Sequence, residues 1–361
     1  MKKRFKTLDG FRGLCAIFVV IFHMHIVDAF SQFNFFRGSA IFVEFFFVLS
    51  GFVLAHGYGC KLHLDTKEFI KSRFFRLFPL HVFMLLVFIG FETGKLIASH
   101  YFGFAFNNIP FSGVRGLNEI IPNLLLIQSW TTYTSALSFN YPSWSISIEF
   151  YMYIILLITV NVLGRFRYVA WLLLSLVAFL LMVTKSGILV KEVISGLSSF
   201  FGGCIVYILY TKISHFKISF PVGSLLELFS LTLIVTVVQT SFEFRHFYAI
   251  VIFLVTVLLF SFESGFFSKI MKNCIVQFFG KISYSIYMTH AAVLFLVTST
   301  MFILQKKYGD GFTPMVNGER MISTGSEIGN NILVFFILIV VFSVSVLTNK
   351  YIETKYQKRG R

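Results

Sequence analysis

The sequence predicts an all-α protein: a polytopic integral membrane bundle of about ten transmembrane helices, with N- and C-termini both cytoplasmic. Three observations predict it. Of 361 residues, 57% are hydrophobic and only 13% charged, with a mean hydropathy of +0.81, whereas soluble domains average about 25% charged residues. Apolar runs of roughly 20 residues, the length that crosses a hydrocarbon core, recur along the chain. The basic residues also alternate between loops: 21 of the 31 Lys and Arg fall on the N-terminal side and eight on the other, as expected when cytoplasmic loops retain positive charge. The composition excludes a soluble enzyme and a disordered chain. The net charge of +15 is accounted for by orientation, so no nucleic-acid partner is required.

The expected spans follow in order. The first, 9–28, has a basic start like a signal peptide. It contains Arg12, His23 and His25, and no small-residue cleavage site follows, so it reads as a retained span. The second is 40–58, and the third, 78–98, is the weakest because it carries Glu92 and Lys95. The run 117–130 is too short to cross and is expected to be re-entrant or interfacial. The remaining spans are 143–163, 168–184, 192–211, 222–240, 247–262, 283–304 and 329–349. The largest loops, 99–142 and 305–328, fall outside, and no repeat or long linker interrupts 1–361, which reads as a single membrane-embedded domain. Cys15, Cys60, Cys204 and Cys274 form no CxxC pair and no metal-ligand spacing, so they are expected to be reduced packing residues.

Ionisable side chains inside a bilayer are costly, which makes each one a functional hypothesis. Arg12 and His23 are eleven residues apart, about three helical turns, so they share one face with roughly 16 Å between them along the axis. His25 falls about 200° round from His23 on the same wheel and is not expected to share its role. Glu44 and Glu149, near the outer ends of their spans, are expected at the depth of His23. A carboxylate there would fix the imidazole tautomer and raise its basicity; the plain alternative is an interhelical hydrogen bond. Arg73 and Arg76, three apart on one helix face, suit bidentate phosphate binding, with topogenic charge as the alternative. Around Glu149, Trp144 and the tyrosines also fit an interfacial aromatic belt, which does not account for Ser145 and Ser147. Tyr284, Tyr287 and His290 open the ninth span close to one face, as packing or as a site. His246 and the other loop or interface histidines are assigned no role.

These islands, in this order, resemble the acyltransferase 3 family of bacterial integral-membrane acyltransferases. The matching pieces are Leu8-Asp-Gly-Phe-Arg-Gly-Leu14 leading to His23, the run Phe45 to Leu54 with its Ser-Gly step, Arg73-Phe-Phe-Arg-Leu-Phe-Pro79, Trp144-Ser-Ile-Ser-Ile-Glu149 and Ser283 to His290. Phe78 departs from the tyrosine the family often has, and Glu353 is not followed by proline. The resemblance implies transfer of an acyl group, usually acetyl from cytoplasmic acetyl-CoA, to a glycan hydroxyl, with no tightly bound cofactor and no metal. It implies donor binding by Arg12, Arg73 and Arg76 and catalysis by His23 with Glu149 or Glu44. It also implies an acceptor pocket drawn from Trp144, Ser147, Tyr287 and His290. His23 serves either as general base or as an acyl-carrying nucleophile. The expected partners are the bilayer, the acyl-CoA and the glycan, the expected location is the bacterial inner membrane, and no appended extracytoplasmic hydrolase-like domain is expected. The competing class is a transporter or flippase without chemistry, but the sequence shows neither inverted repeats nor paired broken helices.

Overall fold

The computed structural model describes residues 3–104, 106, 108–309 and 311–360. Among these, ten helices of 13 residues or more succeed one another: α1 (Lys6–Phe22), α2 (Phe42–Leu54), α3 (Thr66–Phe102), α4 (Ser143–Leu163), α5 (Arg167–Val183), α6 (Lys191–Ile213), α7 (Phe220–Gln239), α8 (Arg245–Ser261), α9 (Cys274–Tyr308) and α10 (Glu327–Thr348). A two-stranded antiparallel hairpin, β1 (Met315–Val316) and β2 (Glu319–Arg320), lies between α9 and α10. Helices suit this sequence because lipid offers no partner for backbone N–H and C=O groups, and a helix satisfies its own.

The chain is a multi-pass membrane protein. Seven stretches of the described residues are long and apolar enough to cross a membrane, where about ten were expected. The difference lies in length and continuity. Helices α1 and α8 have only 17 residues each, and the apolar stretch Ser143–Val183 takes in both α4 and α5. The short run 117–130 does not cross: it forms a 3₁₀ turn and a five-residue helix, Ile120–Leu124.

Three boundaries differ from expectation for identifiable reasons. Helix α1 stops at Phe22, not near 28, because tertiary bonds claim the backbone beyond it. Arg37 Nη1 donates to the Phe22 carbonyl at 2.6 Å, Ile26 bridges Ile322, and Val27 N–H donates to the Ile322 carbonyl at 2.9 Å. Helix α3 begins well before 78 because Asp65 caps it, accepting from Glu68 N–H at 2.7 Å. The basic residues that follow are good helix formers, so α3 runs 37 residues, about 55 Å. Helix α9 starts at Cys274, capped by Asn273, rather than at 283.

Contacts between distant loops gather at two ends. At one end Lys3 Nζ donates to Tyr210 Oη (2.6 Å) and the Ser261 carbonyl (3.0 Å), Gln277 reaches the Lys6 carbonyl, and Tyr356 stacks on Phe75. At the other, Arg245 holds the Gly38 carbonyl at 2.9 Å and Phe30 N–H donates to Asn331. Between the ends, small residues let backbones meet. A Cβ on Gly13 would strike the backbone of Phe279 and Gly280, and one on Gly280 would strike the Asp9 carbonyl, so α1 and α9 pack as closely as two helices can. Gly51 and Gly203 do the same for α2 against α6. Of the cysteines expected to pack, Cys15 and Cys204 are buried, whereas Cys60 and Cys274 are exposed at the N-terminal end; all four are free thiols.

Candidate active site

The close α1–α9 crossing brings the second turn of α1 against the first two turns of α9. A cavity opens there, lined by Arg12, Arg76, Glu149, Ser50, Tyr284 and Tyr287, among others. Arg12 stands 3.9 Å from Asp9. Tyr153 and Ser50 both donate to Glu149 Oε1, and Tyr287 Oη accepts from Ser145 at 2.9 Å. The two arginines and Glu149 thus form a mixed charge cluster in the body of the bundle.

Arg73 does not line this cavity. Its guanidinium sits among the rings of Tyr58, Phe69 and Tyr153, donates to Ser72 Oγ at 2.9 Å, and leaves its buried Nε without a partner. The expected Arg73–Arg76 pair is therefore split. Arg76 faces the cavity, and Arg73 lies behind Tyr153, which hydrogen-bonds Glu149.

His23 lies at the C-terminal cap of α1. Its Nδ1 is 2.8 Å from the Val19 carbonyl and 3.3 Å from His290 Nε2. Because a carbonyl only accepts, Nδ1 carries the proton. His290 Nδ1 faces the Ile286 carbonyl at 3.3 Å, so by the same reasoning its Nε2 accepts. The lone pair on His23 Nε2 is then free. Tyr141 packs on both imidazoles, with ring centroids 4.7 Å from His23 and 5.8 Å from His290.

The position of His23 relative to the two carboxylates corrects the expectation. Glu149 sits with Arg12 and Arg76, deeper in the bundle than the imidazole. Glu44 accepts from His246 Nδ1 at 2.7 Å and Ser195 Oγ at 3.3 Å. The partner on His23 is a second histidine, contributed by the opposing helix. Position along the helix suggested a common depth, but tilt and rotation of α2 and α4 decide which neighbour each carboxylate meets.

Ser147 is fully buried and donates to the Leu126 carbonyl at 2.6 Å, tying the 117–130 segment to α4, and does not line the arginine cavity. Trp144 packs edge-on against Phe47. Of the four acceptor-pocket candidates, Tyr287 lines the arginine cavity and His290 bonds His23. His25 was set aside by wheel geometry, which ceases to apply once the helix ends at Phe22. His23 and His25 both line a second cavity at the far end from the N-terminus.

Residues missed at the sequence level include Tyr153, Ser50 and Arg37. Tyr153 had a signal, since it is one helical turn beyond Glu149. Arg37 had none: only the fold brings it to the end of α1. The C-terminal segment, left open by its departure from the family pattern, packs at the same place. Glu353 accepts from Ser285 Oγ and Asn349 Nδ2, both at 2.8 Å.

Fold and site define a helical membrane protein with a cavity inside the bundle that holds Arg12 and Arg76, and a histidine pair whose His23 lines a second cavity. The chain belongs to the acyltransferase 3 family: the family model described as an acyltransferase domain matches residues 5–350. It is 46% identical over 86 residues to Protein 2 in picA locus of Rhizobium radiobacter, covering 23% of this chain and 43% of that one. It is 33% identical over 165 residues to Acyltransferase MdmB of Streptomyces mycarofaciens (42% and 38%). With Putative peptidoglycan O-acetyltransferase YrhL of Bacillus subtilis it shares 30% over 164 residues (41% and 22%). The chain spans less than half the length of these relatives. No solved structure matches.

Proposed function

We propose that this protein moves an acyl group, acetyl in the first instance, from cytoplasmic acyl-CoA to a hydroxyl of a cell-surface glycan. In this reading it crosses the bacterial inner membrane ten times with both termini in the cytoplasm. The observation that carries the proposal is the His23–His290 pair, in which His23 lines one cavity while a second cavity, holding Arg12 and Arg76, lies on the same two helices. Family membership and the names of relatives, among them a peptidoglycan O-acetyltransferase, support it.

Arg12 and Arg76, with Arg73 behind them, suit the CoA phosphates. The pantetheine arm then covers the roughly 16 Å along α1 towards His23. His23 Nε2 takes the hydroxyl proton as the oxygen attacks the thioester carbonyl, the imidazolium keeping its Nδ1–H between the Val19 carbonyl and His290; the C–S bond then breaks and the CoA thiolate leaves with the proton returned from Nε2, which restores the neutral imidazole. General-base catalysis of this kind is worth about 10²–10⁴-fold.

The test is transfer of labelled acetyl from acetyl-CoA to glycan in membranes holding matched amounts of wild type or His23→Ala. Label on glycan with wild type, reduced at least about a hundredfold in the variant, is the expected result. Near-normal transfer by the variant removes His23 from the reaction.

A further inference from the structure

The second cavity lies beyond His23, and its walls carry a particular charge. It is lined by His23, His25, Thr298, Thr313, Arg320 and Ile322, among others. The β1–β2 hairpin forms one side and is fastened to the residues just after His23. Ile322 N–H donates to the His25 carbonyl at 2.8 Å, and Val27 N–H donates to the Ile322 carbonyl at 2.9 Å. The imidazole and the hairpin therefore belong to one continuous wall, held by backbone bonds.

The charge around that wall has a positive excess: Arg320 stands in the lining and Arg37 acts on both His25 and Glu319, against the single carboxylate of Glu319. The Arg320 guanidinium lies over the Phe302 ring at 4.9 Å, with its side chain exposed. The carboxylate at the rim, Glu319, accepts from His25 Nδ1 at 3.2 Å and offsets one of the two arginine charges. Burial first, and the Arg37 charge second, hold His25 below its ordinary pKa against the opposing pull of Glu319. At neutral pH His25 is thus largely uncharged, and Arg320 is the standing charge of the cavity lining. An arginine held on an aromatic face presents its planar N–H fork to a carboxylate or phosphate, and a neutral sugar gains little from it.

We infer that the cavity between His23 and the β1–β2 hairpin receives the acceptor, and that Arg320 makes it selective for a glycan bearing an anionic group near the hydroxyl to be acylated. This rests on the acyltransferase reading and adds the chemical class of the acceptor.

Two oligosaccharides differing only at one end, glucuronic acid or glucose, separate the possibilities. Their binding to the detergent-solubilised protein is measured by calorimetry, and acetyl transfer to each is followed in parallel. Wild type is expected to bind the acidic sugar about tenfold tighter, the worth of one charge-assisted hydrogen bond. Arg320→Gln is expected to abolish that preference and Arg320→Lys to keep most of it. Equal binding of both sugars by wild type, or a preference that survives Arg320→Gln, overturns the inference. A preference that Arg320 controls, without acetyl transfer to either sugar, upholds the anionic site and counts against the acyltransferase reading alone.

Discussion

At the scale of single residues, the chemistry turns on which nitrogen of His23 carries the proton. The Val19 carbonyl and His290 Nε2 both draw on Nδ1–H, which leaves Nε2 as the base. His290→Leu removes one of these acceptors and is expected to lower kcat by roughly 10–100-fold, the worth of a hydrogen bond to a charged group. The KM for acetyl-CoA should stay the same. His290→Gln, which keeps an acceptor oxygen, should recover part of the rate; no recovery, or a change confined to KM, would make His290 a packing residue only. Ser147 provides the opposite case. Its hydroxyl is spent on the Leu126 carbonyl, so Ser147→Ala is expected to cost about 1 kcal/mol of stability in thermal unfolding and to leave the transfer rate in place. A large rate loss at unchanged stability would return Ser147 to the acceptor pocket.

Among the helices, α1 and α9 decide the site. Arg12 and His23 ride on α1, and Tyr284, Tyr287 and His290 ride on α9, so the distance between these helices sets every contact from the arginine cavity to the histidine pair. That distance depends on Gly13 meeting Gly280 with no side chain between them. Gly13→Val is expected to cost about 1–3 kcal/mol through overpacking and to depress transfer together with thermal stability. Gly90→Val, on α3 where open space surrounds the glycine, is the control and should change neither appreciably. How much of this was legible follows from the same elements. The separation of Arg12 from His23 was readable because α1 runs unbroken from Lys6 to Phe22, with His23 as its cap. The end of that helix was not, since Arg37 and Ile322 terminate it from distant parts of the chain.

For the whole molecule, the sorting of loops to two ends makes the orientation testable with native groups. Cys60 and Cys274 are exposed at the end that carries most of the basic residues, while Cys15 and Cys204 are buried. A membrane-impermeant maleimide is expected to label Cys60 and Cys274 in sealed inside-out vesicles and to leave them unmodified in right-side-out ones. The reverse pattern would invert the topology and place the arginine cavity away from the CoA pool. By itself the sequence determined the membrane class, the helical periodicity, the order of the polar islands and the separation of Arg12 from His23. All of these depend on composition and on spacing within one helix. Only the tertiary structure decided that Glu149 joins the arginines, that Glu44 pairs with His246 and that His290 is the partner of His23. Those choices depend on helix rotation and crossing distance, set by small residues and long-range hydrogen bonds whose partners lie up to three hundred residues apart.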